Sequence, residues 1–338
     1  MPGPLLDTLR GKVTERRPVW LMRQAGRYLP EYRALRAEKG GFLKLVYDSE
    51  AAAEITLQPI RRFGFDGAIL FSDILIVPHA LGQDLQFLAG EGPHLSPRLV
   101  DVALETLEAA PQHFDPIYET VRLCRQQLPA NVTMLGFAGS PWTVATYMVT
   151  GEGSKDHHVA RAMAYRDPAA FGAIIDAIVE SSITYLSGQI DAGAEAVQLF
   201  DSWAGSLSPL QFERWVVEPT TRIVDAVRKL HPDTPIIGFP KGAGGKLPSY
   251  VRETGVNAVG VDETVDPRWI HRELPGDLPV QGNLDPLLLI SGGDELDKAA
   301  RELLAAFEGR PHVFNLGHGI DKTTPIANVE RLLQVVRG

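Results

Sequence analysis

The feature that most constrains the fold of this chain is a set of short apolar runs that recur along nearly its whole length. The runs end abruptly in Gly, Ser, Asp or Asn and are separated by longer segments with helical periodicity, which is typical of strands that alternate with helices. There are eight of them: VWLM (19–22), GAILF (67–71), TMLGF (133–137), EAVQLF (195–200), PIIGF (235–239), NAVGV (257–261), LPVQG (278–282) and HVFNLG (312–317). Strands that are apolar on both faces predict a parallel sheet covered by helices on both sides.

Helical periodicity predicts helices between these runs, and several of them open with Asp-Pro or Ser-Pro, a common start signal. The predicted helices are 49–63, 115–128, 168–191, 208–230, 247–254, 266–273, 294–307 and 325–337. Eight runs favour closure into a (β/α)8 barrel, and an open nucleotide-binding sheet is disfavoured because GFPKGAGGK (238–246) lacks the spacing of a phosphate-binding loop. No linker interrupts the pattern, so we expect residues 1–338 to form a single barrel domain.

Composition and charge exclude several classes of protein. With 44% hydrophobic and 22% charged residues, the chain has the composition of a globular protein rather than a disordered or collagen-like one. Its formal net charge of −9 argues against nucleic acid as a general partner. The most apolar stretch, 171–190, contains Asp176 and Glu180 and predicts a buried helix rather than a membrane span. A single cysteine, Cys124, and the absence of a secretory signal predict a cytoplasmic protein without disulfides.

The beginning of the chain is basic although the whole chain is acidic. Residues 1–44 contain ten Lys/Arg and four Asp/Glu. Guanidinium groups match carboxylate and phosphate in a two-pronged geometry, so this segment is a candidate for binding an anionic ligand. Charge alone favours the simpler interpretation, a solvated charged surface.

Polar residues follow several apolar runs at the positions where a (β/α)8 barrel gathers its functional side chains. In such barrels the site lies at the carboxyl ends of the strands. The candidates combine two guanidinium groups with carboxylates, hydroxyl groups, a phenol and an imidazole: Arg23 and Arg27, Ser72 and Asp73, Ser140 and Tyr147, Asp201 and Ser202, and His318. Together they predict an anion-binding catalytic mouth.

Each candidate also has a simpler structural interpretation. Arg23 and Arg27 are equally readable as surface arginines. Asp73, Asp201 and Ser202 are equally readable as residues that cap helices. Tyr147 lies in an apolar helical pattern that favours a core tyrosine, and His318 stands between two glycines in a predicted turn. Position alone does not decide between the two interpretations.

Other combinations of reactive residues give weaker signals. His157 and His158 lie in a Gly-flanked loop and are expected to be solvated. The chain has no HExxH motif and no HxC pair, so we expect no zinc site. Ser140 follows GFAG without the GxSxG elbow of many hydrolases, which disfavours hydrolysis.

Two long segments, RPVWLMRQAGRYLPEYR (17–33) and GFAGSPWTVATYMVTG (136–151), resemble the signature segments of the uroporphyrinogen decarboxylase family. Further segments are similar to that family in order and spacing: FSDILIVPHALG (71–82), QLFDSWAGSLSP (198–209), GVDETVD (260–266), QGNLDP (281–286) and FNLGHGI (314–320). The resemblance therefore covers almost the whole chain.

The resemblance implies a single distorted (β/α)8 barrel, a homodimer with facing clefts and no cofactor. The implied reaction removes CO2 from the four acetates of uroporphyrinogen III and gives coproporphyrinogen III, with no nucleic acid or membrane as partner. Matched segment by segment, the family's substrate-binding residues fall on Arg23, Gln24, Ala25, Gly26, Arg27, Asp73, Tyr147, Ser202 and His318. Its catalytic residues fall on Asp73, Arg23, Tyr147 and His318.

The chemistry of that reaction suits these residue types. The substrate is a polyanion with inward pyrrole N–H donors, and protonation of a pyrrole carbon turns the ring into an electron sink. A buried Asp73 carboxylate, kept ionised by nearby arginines, would accept the N–H bonds and stabilise the cation. Arg23 is a poor acid because the pKa of arginine exceeds about 12. Tyr147 and His318 match better in acidity, and the sequence leaves the proton donor open.

Two other functions compete with this interpretation. Cobamide-dependent methyltransferases share the barrel but need a zinc-thiolate site, and Cys124 stands alone in a helical segment away from any strand end. A tetrapyrrole carrier without catalytic activity would need the arginines but not Asp73. The joint presence of Asp73, Tyr147 and His318 favours catalysis.

Overall fold

The computed structural model describes residues 3–88 and 92–338, and its main sheet contains seven parallel strands. Strands that are neighbours in this sheet are also consecutive along the chain, except that a separate antiparallel hairpin lies between the first two of them. The strands are β1 Gly67–Ile69, β2 Asp84–Leu88, β3 Gly92–Ser96, β4 Thr133–Gly139, β5 Ala196–Asp201, β6 Ile236–Pro240, β7 Ala258–Gly260, β8 Val280–Leu284 and β9 His312–Leu316. The predicted α/β barrel class is confirmed, and seven of the eight predicted runs form strands of the curled sheet.

The first predicted run, 19–22, forms only a residual strand. Val19 makes an isolated parallel bridge to Phe314, and Phe314 N donates to Pro18 O at 2.9 Å. On the other side, Asp66 N donates to Val19 O at 2.9 Å, just before β1. A full strand does not form because Pro18 has no N–H to donate and Val19 N is bound by the Asp66 side chain. Residues 18–20 therefore join the two edges of the sheet, which distorts the barrel at this seam.

Helices pack around the sheet and connect most of its strands. Within the described residues they are α1 Pro4–Leu9, α2 Pro30–Lys39, α3 Phe42–Tyr47, α4 Ser49–Phe63, α5 Ile76–Ala80, α6 Asp115–Gln127, α7 Pro141–Thr150, α8 His158–Arg166, α9 Pro168–Asp191, α10 Pro209–Phe212, α11 Glu218–Leu230, α12 Leu247–Thr254, α13 Pro267–Glu273, α14 Pro286–Ser291, α15 Gly293–Ala306 and α16 Ile326–Arg337. The predicted bounds of α4, α9 and α12 are correct to the residue.

The predicted helix over 208–230 is interrupted. A π-helical turn at 213–217 separates α10 from α11. Pro219 lies in the first turn of α11 and has no N–H for a bond to the preceding turn, which accounts for the irregular ladder.

Helix α9 is long and apolar enough to cross a membrane by length and composition alone. Its apolar residues Phe171, Ile174, Ile178 and Tyr185 are buried, and it packs against α7, α11 and β4. Packing of this kind is typical of a core helix, which is what the presence of Asp176 and Glu180 in this stretch predicts.

The barrel interior contains a chain of buried polar side chains beneath the carboxyl ends of the strands. Trp20 Nε1 donates to Gln281 Oε1 at 3.0 Å, and Gln281 Nε2 donates to Gln198 Oε1 at 3.0 Å. Each of these groups is inaccessible to solvent, and burial of polar groups is tolerated where they bond to one another. These three hydrogen-bonded side chains span the interior of the barrel.

The long insertion between β1 and α6 forms one wall of the barrel mouth. It contains α5 and the β2–β3 hairpin, and it contacts the C-terminal end of α7 through backbone bonds. Leu95 N donates to Gly151 O at 2.7 Å, and Leu99 N donates to Met148 O at 2.9 Å. The insertion therefore holds α7, which carries Tyr147, against the mouth.

Candidate active site

The loop after the residual first strand presents Arg23 and Arg27 at the mouth. Arg23 has a left-handed backbone with φ of 63°, which is uncommon for a residue with a side chain and is typical of functional loops. The buried Gln24 fixes this turn, because its Oε1 accepts from Leu21 N at 3.0 Å and its Nε2 donates to Gly67 O at 2.8 Å. Both arginine side chains remain exposed.

The three predicted binding residues between these arginines differ in what they offer a ligand. The Gln24 side chain is fully buried, and both the oxygen and the nitrogen of its amide group make hydrogen bonds within the protein. Ala25 and Gly26 are half-buried and have no polar side-chain atoms. This part of the loop therefore offers main-chain groups, and Gln24 holds the loop in shape.

Asp73 follows β1 and faces the same mouth. Its Oδ1 accepts from Leu75 N at 2.9 Å, so the helix-cap interpretation is correct for one oxygen. The other oxygen makes no hydrogen bond within the described residues. Burial raises the pKa of Asp73 to about 6, while the Leu75 N–H and the positive charge of Arg23 lower it in part. Arg23 thus favours the ionised form, although burial outweighs it.

Two other candidates lie within the electrostatic reach of Arg23. Burial raises the pKa of Tyr147 to about 12, with a further increase from Asp73. Burial lowers the pKa of His318 to about 3, and the positive charges of Arg23 and Lys241 lower it further. At neutral pH the phenol is therefore protonated and the imidazole is neutral.

His318 also lies close to Arg23 in space. A Cβ at the neighbouring Gly319 would approach Arg23 Cγ to 2.7 Å, so the arginine side chain lies directly against this glycine. Ile320 N donates to Met22 O at 2.8 Å, which ties the loop after β9 to the arginine loop. The structure therefore brings Arg23, Asp73, Tyr147 and His318 to one mouth.

Two predicted residues lie at the edge of this group. Ser202 follows β5 directly, is half-buried, and its hydroxyl makes no hydrogen bond within the described residues. Arg27 is exposed, and its positive charge acts on Asp321 in the segment that follows His318. Both side chains remain available to a ligand.

Two charged residues at the mouth, Lys241 and Asp262, are absent from the candidates predicted from the sequence. Both follow predicted strands, as the predicted candidates do. Lys241 follows β6 and Asp262 follows β7 closely. Lys241 N donates to Asp201 O at 3.0 Å, and the half-buried Lys241 side chain has no ion pair within the described residues. Asp262 Oδ2 accepts from Gly242 N at 2.7 Å, which fixes the loop that carries Lys241.

The expectation for the two adjacent histidines is wrong for one of them. His158 is exposed and lies 3.0 Å from Asp156. His157 is buried, and its ring stacks on Trp203 with centroids 4.2 Å apart. The loop backbone folds inward at His157, where φ is 53°, so two consecutive side chains point in different directions.

Cys124 lies away from the mouth. It is fully buried on α6, where its Sγ is 3.9 Å from Ala53 O of α4, and burial raises its pKa to about 12. A thiol in such surroundings is not a ready metal ligand. Within residues 3–88 and 92–338, no three His, Cys, Asp or Glu side chains are grouped as a metal site would require.

Comparison with known proteins gives matches over the whole length of the chain. Residues 3–338 match the family model described as Uroporphyrinogen decarboxylase (URO-D). The uroporphyrinogen decarboxylase of Novosphingobium aromaticivorans is 71% identical over 338 residues, which are 100% of this chain and 99% of the relative. That of Paracoccus denitrificans is 52% identical and covers 99% of this chain and 98% of the relative.

Solved structures extend the similarity to the fold. A methyltransferase from Methanosarcina mazei superposes with a TM-score of 0.82 at 20% identity, covering 98% of this chain and 97% of that chain. A B12-independent methionine synthase from Shewanella superposes with a TM-score of 0.57 at 10% identity, covering 95% and 93%. At these identities the similarity concerns the fold alone.

Proposed function

This chain belongs to the uroporphyrinogen decarboxylase family, and we propose from that premise that Asp73 is the centre of its chemistry. The activity is decarboxylation of uroporphyrinogen, in which CO2 leaves the four acetates of the III isomer to give coproporphyrinogen III. The observation that carries the proposal is a desolvated carboxylate at the barrel mouth, with Arg23 within electrostatic reach and with one oxygen that makes no hydrogen bond in the described part of the chain.

Each decarboxylation consumes one proton. Protonation of a pyrrole carbon gives a cationic ring, and the electron pair of the breaking C–CO2 bond flows into that ring to form an exocyclic methylene. Protonation of the methylene carbon and loss of the proton from the ring then give a methyl group and restore the pyrrole. The step that needs help is the formation of the cationic ring, because charge develops there.

Asp73 has the properties needed to stabilise that ring. With a pKa of about 6, it is largely ionised at neutral pH. Pyrrole N–H donors and a cationic ring favour the carboxylate further, since both stabilise its charged form. The desolvation that raises its pKa also strengthens its attraction for the cation.

The cations and neutral donors around Asp73 are assigned to the substrate carboxylates. Arg23, Arg27 and Lys241 are without acidic partners within hydrogen-bond distance in the described part of the chain and supply positive charge at the mouth. His318 is neutral and Tyr147 is protonated, so each donates a hydrogen bond rather than acting as a strong acid at neutral pH. Ser202 adds a hydroxyl group.

We also propose the assembly and location that accompany this activity. They are a single catalytic domain over 1–338, a homodimer, a cytoplasmic location, catalysis without a cofactor, and no binding of nucleic acid or membrane. Size-exclusion chromatography with light scattering tests the dimer, and a metal analysis of the active protein tests independence from metal ions.

The proposed function is tested by anaerobic incubation with reduced uroporphyrinogen III. Chromatography of the oxidised products should show the heptacarboxylate to pentacarboxylate intermediates followed by the tetracarboxylate coproporphyrin. Binding of the substrate without loss of CO2 would instead identify a carrier. Methyl transfer from a methylated cobamide, with no decarboxylation, would identify the other alternative.

A further inference from the structure

Three aromatic rings form a continuous stack beside the mouth, which we call the Tyr147 stack: Tyr147 of α7, Trp203 after β5 and His157 before α8. The Tyr147 and Trp203 ring centroids are 4.4 Å apart with an angle of 33° between the planes. The Trp203 and His157 centroids are 4.2 Å apart with an angle of 29°. The indole is therefore the middle layer, with the phenol on one side and the imidazole on the other.

The Trp203 backbone is held by the same helix that carries Tyr147. Trp203 N donates to Thr143 Oγ1 at 3.1 Å, and Trp203 O accepts from Trp142 Nε1 at 3.1 Å. Thr143 in turn donates to the buried Asp201 Oδ1 at 2.5 Å. Since Thr143 lies one turn before Tyr147 on α7, this network fixes the indole relative to the phenol.

His157 supports the outer face of the indole at a cost in local free energy. Its backbone is left-handed, and its Nδ1 is buried without a hydrogen-bond partner in the described part of the chain. Burial lowers the pKa of His157, so the ring that covers Trp203 is neutral. Such a strained backbone conformation persists only where its surroundings hold it in place, and the contact with the Trp203 ring contributes to that.

The Tyr147 hydroxyl has no hydrogen bond in the described part of the chain that would set its direction. Its orientation is set by α7 and by the face of the Trp203 ring. We propose that Trp203, supported by His157, is a positioning residue that holds the Tyr147 phenol in place beside Asp73, where it donates to a substrate carboxylate during uroporphyrinogen decarboxylation. This inference rests on the proposed function and adds to it two residues that act through Tyr147.

A double-mutant cycle separates positioning of Tyr147 from general packing. Trp203→Leu in the native background should lower kcat by about tenfold with a smaller change in KM, and Trp203→Phe should recover most of the loss because a ring remains. In the Tyr147→Phe background, Trp203→Leu should change kcat by less than about twofold. His157→Leu should show the same dependence on Tyr147 with a smaller amplitude.

The control is Trp269→Leu, since Trp269 is also half-buried against the core but lies on α13. It should leave kcat within about twofold of the native value. Equal losses from Trp203→Leu in both backgrounds, or no loss in the native background, would overturn the inference. If Trp203→Leu does not fold, the same cycle with His157→Leu in the native and Tyr147→Phe backgrounds decides. Failure of the native protein to release CO2 would instead refute the proposed function.

A spectroscopic readout makes the test independent of turnover. Removal of the indole opens the phenol to water, so the pKa of Tyr147 should fall from about 12 toward its ordinary value near 10. Alkaline difference absorbance of the native protein and of Trp203→Leu, each with and without Tyr147→Phe, isolates this transition in both backgrounds. An unchanged Tyr147 titration would contradict the proposal.

Discussion

Burial, more than neighbouring charge, shifts the pKa values of Asp73, Tyr147 and His318 at the mouth. It raises the pKa of Asp73 to about 6 and that of Tyr147 to about 12, and it lowers that of His318 to about 3. Each shift favours the neutral form of the group, as desolvation requires. The mouth therefore holds an Asp73 carboxylate that titrates close to neutrality, together with two neutral hydrogen-bond donors.

Replacement of Asp73 tests its charge directly. Asp73→Asn keeps the shape of the side chain and removes the negative charge that stabilises the ring cation, so kcat should fall at least ~10²-fold. The measurement is the rate of coproporphyrinogen formation under anaerobic conditions, with Asp101→Asn on the surface as the control. Near-normal turnover of Asp73→Asn would exclude the electrostatic role.

The charge of Arg23 should shift the pH dependence of the reaction. Asp73 acts as a carboxylate, so kcat/KM should fall as the pH decreases through about 6. Arg23→Gln removes a positive charge that lowers the pKa of Asp73, so this acidic limb should move to higher pH. The exposed Arg122→Gln on α6 is the control for a general loss of charge. A limb that stays in place or moves to lower pH would contradict the assignment.

Lys241 should contribute to substrate binding. Lys241→Met removes a cation at the mouth that has no acidic partner among the described residues, so KM should rise about tenfold while kcat changes little. Lys241→Arg should retain most of the affinity because it keeps the charge, and Arg27→Ala should weaken binding in the same manner. Steady-state kinetics with the exposed Lys322→Met as control provide the check. A native KM in Lys241→Met would remove Lys241 from the site.

At the scale of elements, loops after different strands determine each other's conformation. The arginine loop is held by Gln24 and by the backbone bond from Ile320 to Met22, so it is coupled to the loop after β9. The loops after β5 and β6 are joined in the same manner, since Gly205 N donates to Lys241 O at 3.0 Å. The mouth is therefore a ring of mutually supported loops rather than a set of independent ones.

A small change in one loop should displace a side chain of another. Gly319→Ala places a methyl group against Arg23, whose Cγ would be 2.7 Å away, so the guanidinium must move from its position. KM should rise roughly tenfold because a misplaced side chain loses its carboxylate contact. The matched control is Gly245→Ala, where a Cβ meets nothing within 4 Å. Equal kinetics for the two variants would show that Arg23 is not held against this glycine.

At the scale of the whole molecule, closure of the barrel depends on a single seam. Asp66 is 2% exposed, accepts from Val19 N at 2.9 Å and pairs with Arg16 across the seam. Its carboxylate bonds to the residual strand at the point where Pro18 cannot donate to the sheet.

Loss of this carboxylate should destabilise the whole barrel. Asp66→Ala leaves the buried Val19 N–H without a partner, so the free energy of unfolding should fall by about 2 kcal/mol. Urea unfolding monitored by circular dichroism measures it, and Asp101→Ala on the surface should change it by less than about 0.5 kcal/mol. A loss as small as that of the surface variant would show that the seam closes without Asp66.

The sequence by itself determined the alternation of strands and helices, the positions of polar residues after the strands, and the family. These features are local, because periodicity and the residues after each run are properties of neighbouring positions in the chain. It also predicted Arg23, Asp73, Tyr147 and His318 as candidate site residues, and the fold brings these four to one mouth. The same rule extends to Lys241, which directly follows a predicted strand.

Only the tertiary structure decided that residues 18–20 close the sheet as a residual strand, that His157 is buried while His158 is exposed, and that Trp203 lies between two rings. It also decided the protonation states, since the desolvation of Asp73 outweighs the charge of Arg23. These outcomes depend on groups that are far apart in the chain but close together in the folded protein, at a mouth from which water is largely excluded. A local sequence pattern shows neither which groups meet nor how far each of them is desolvated.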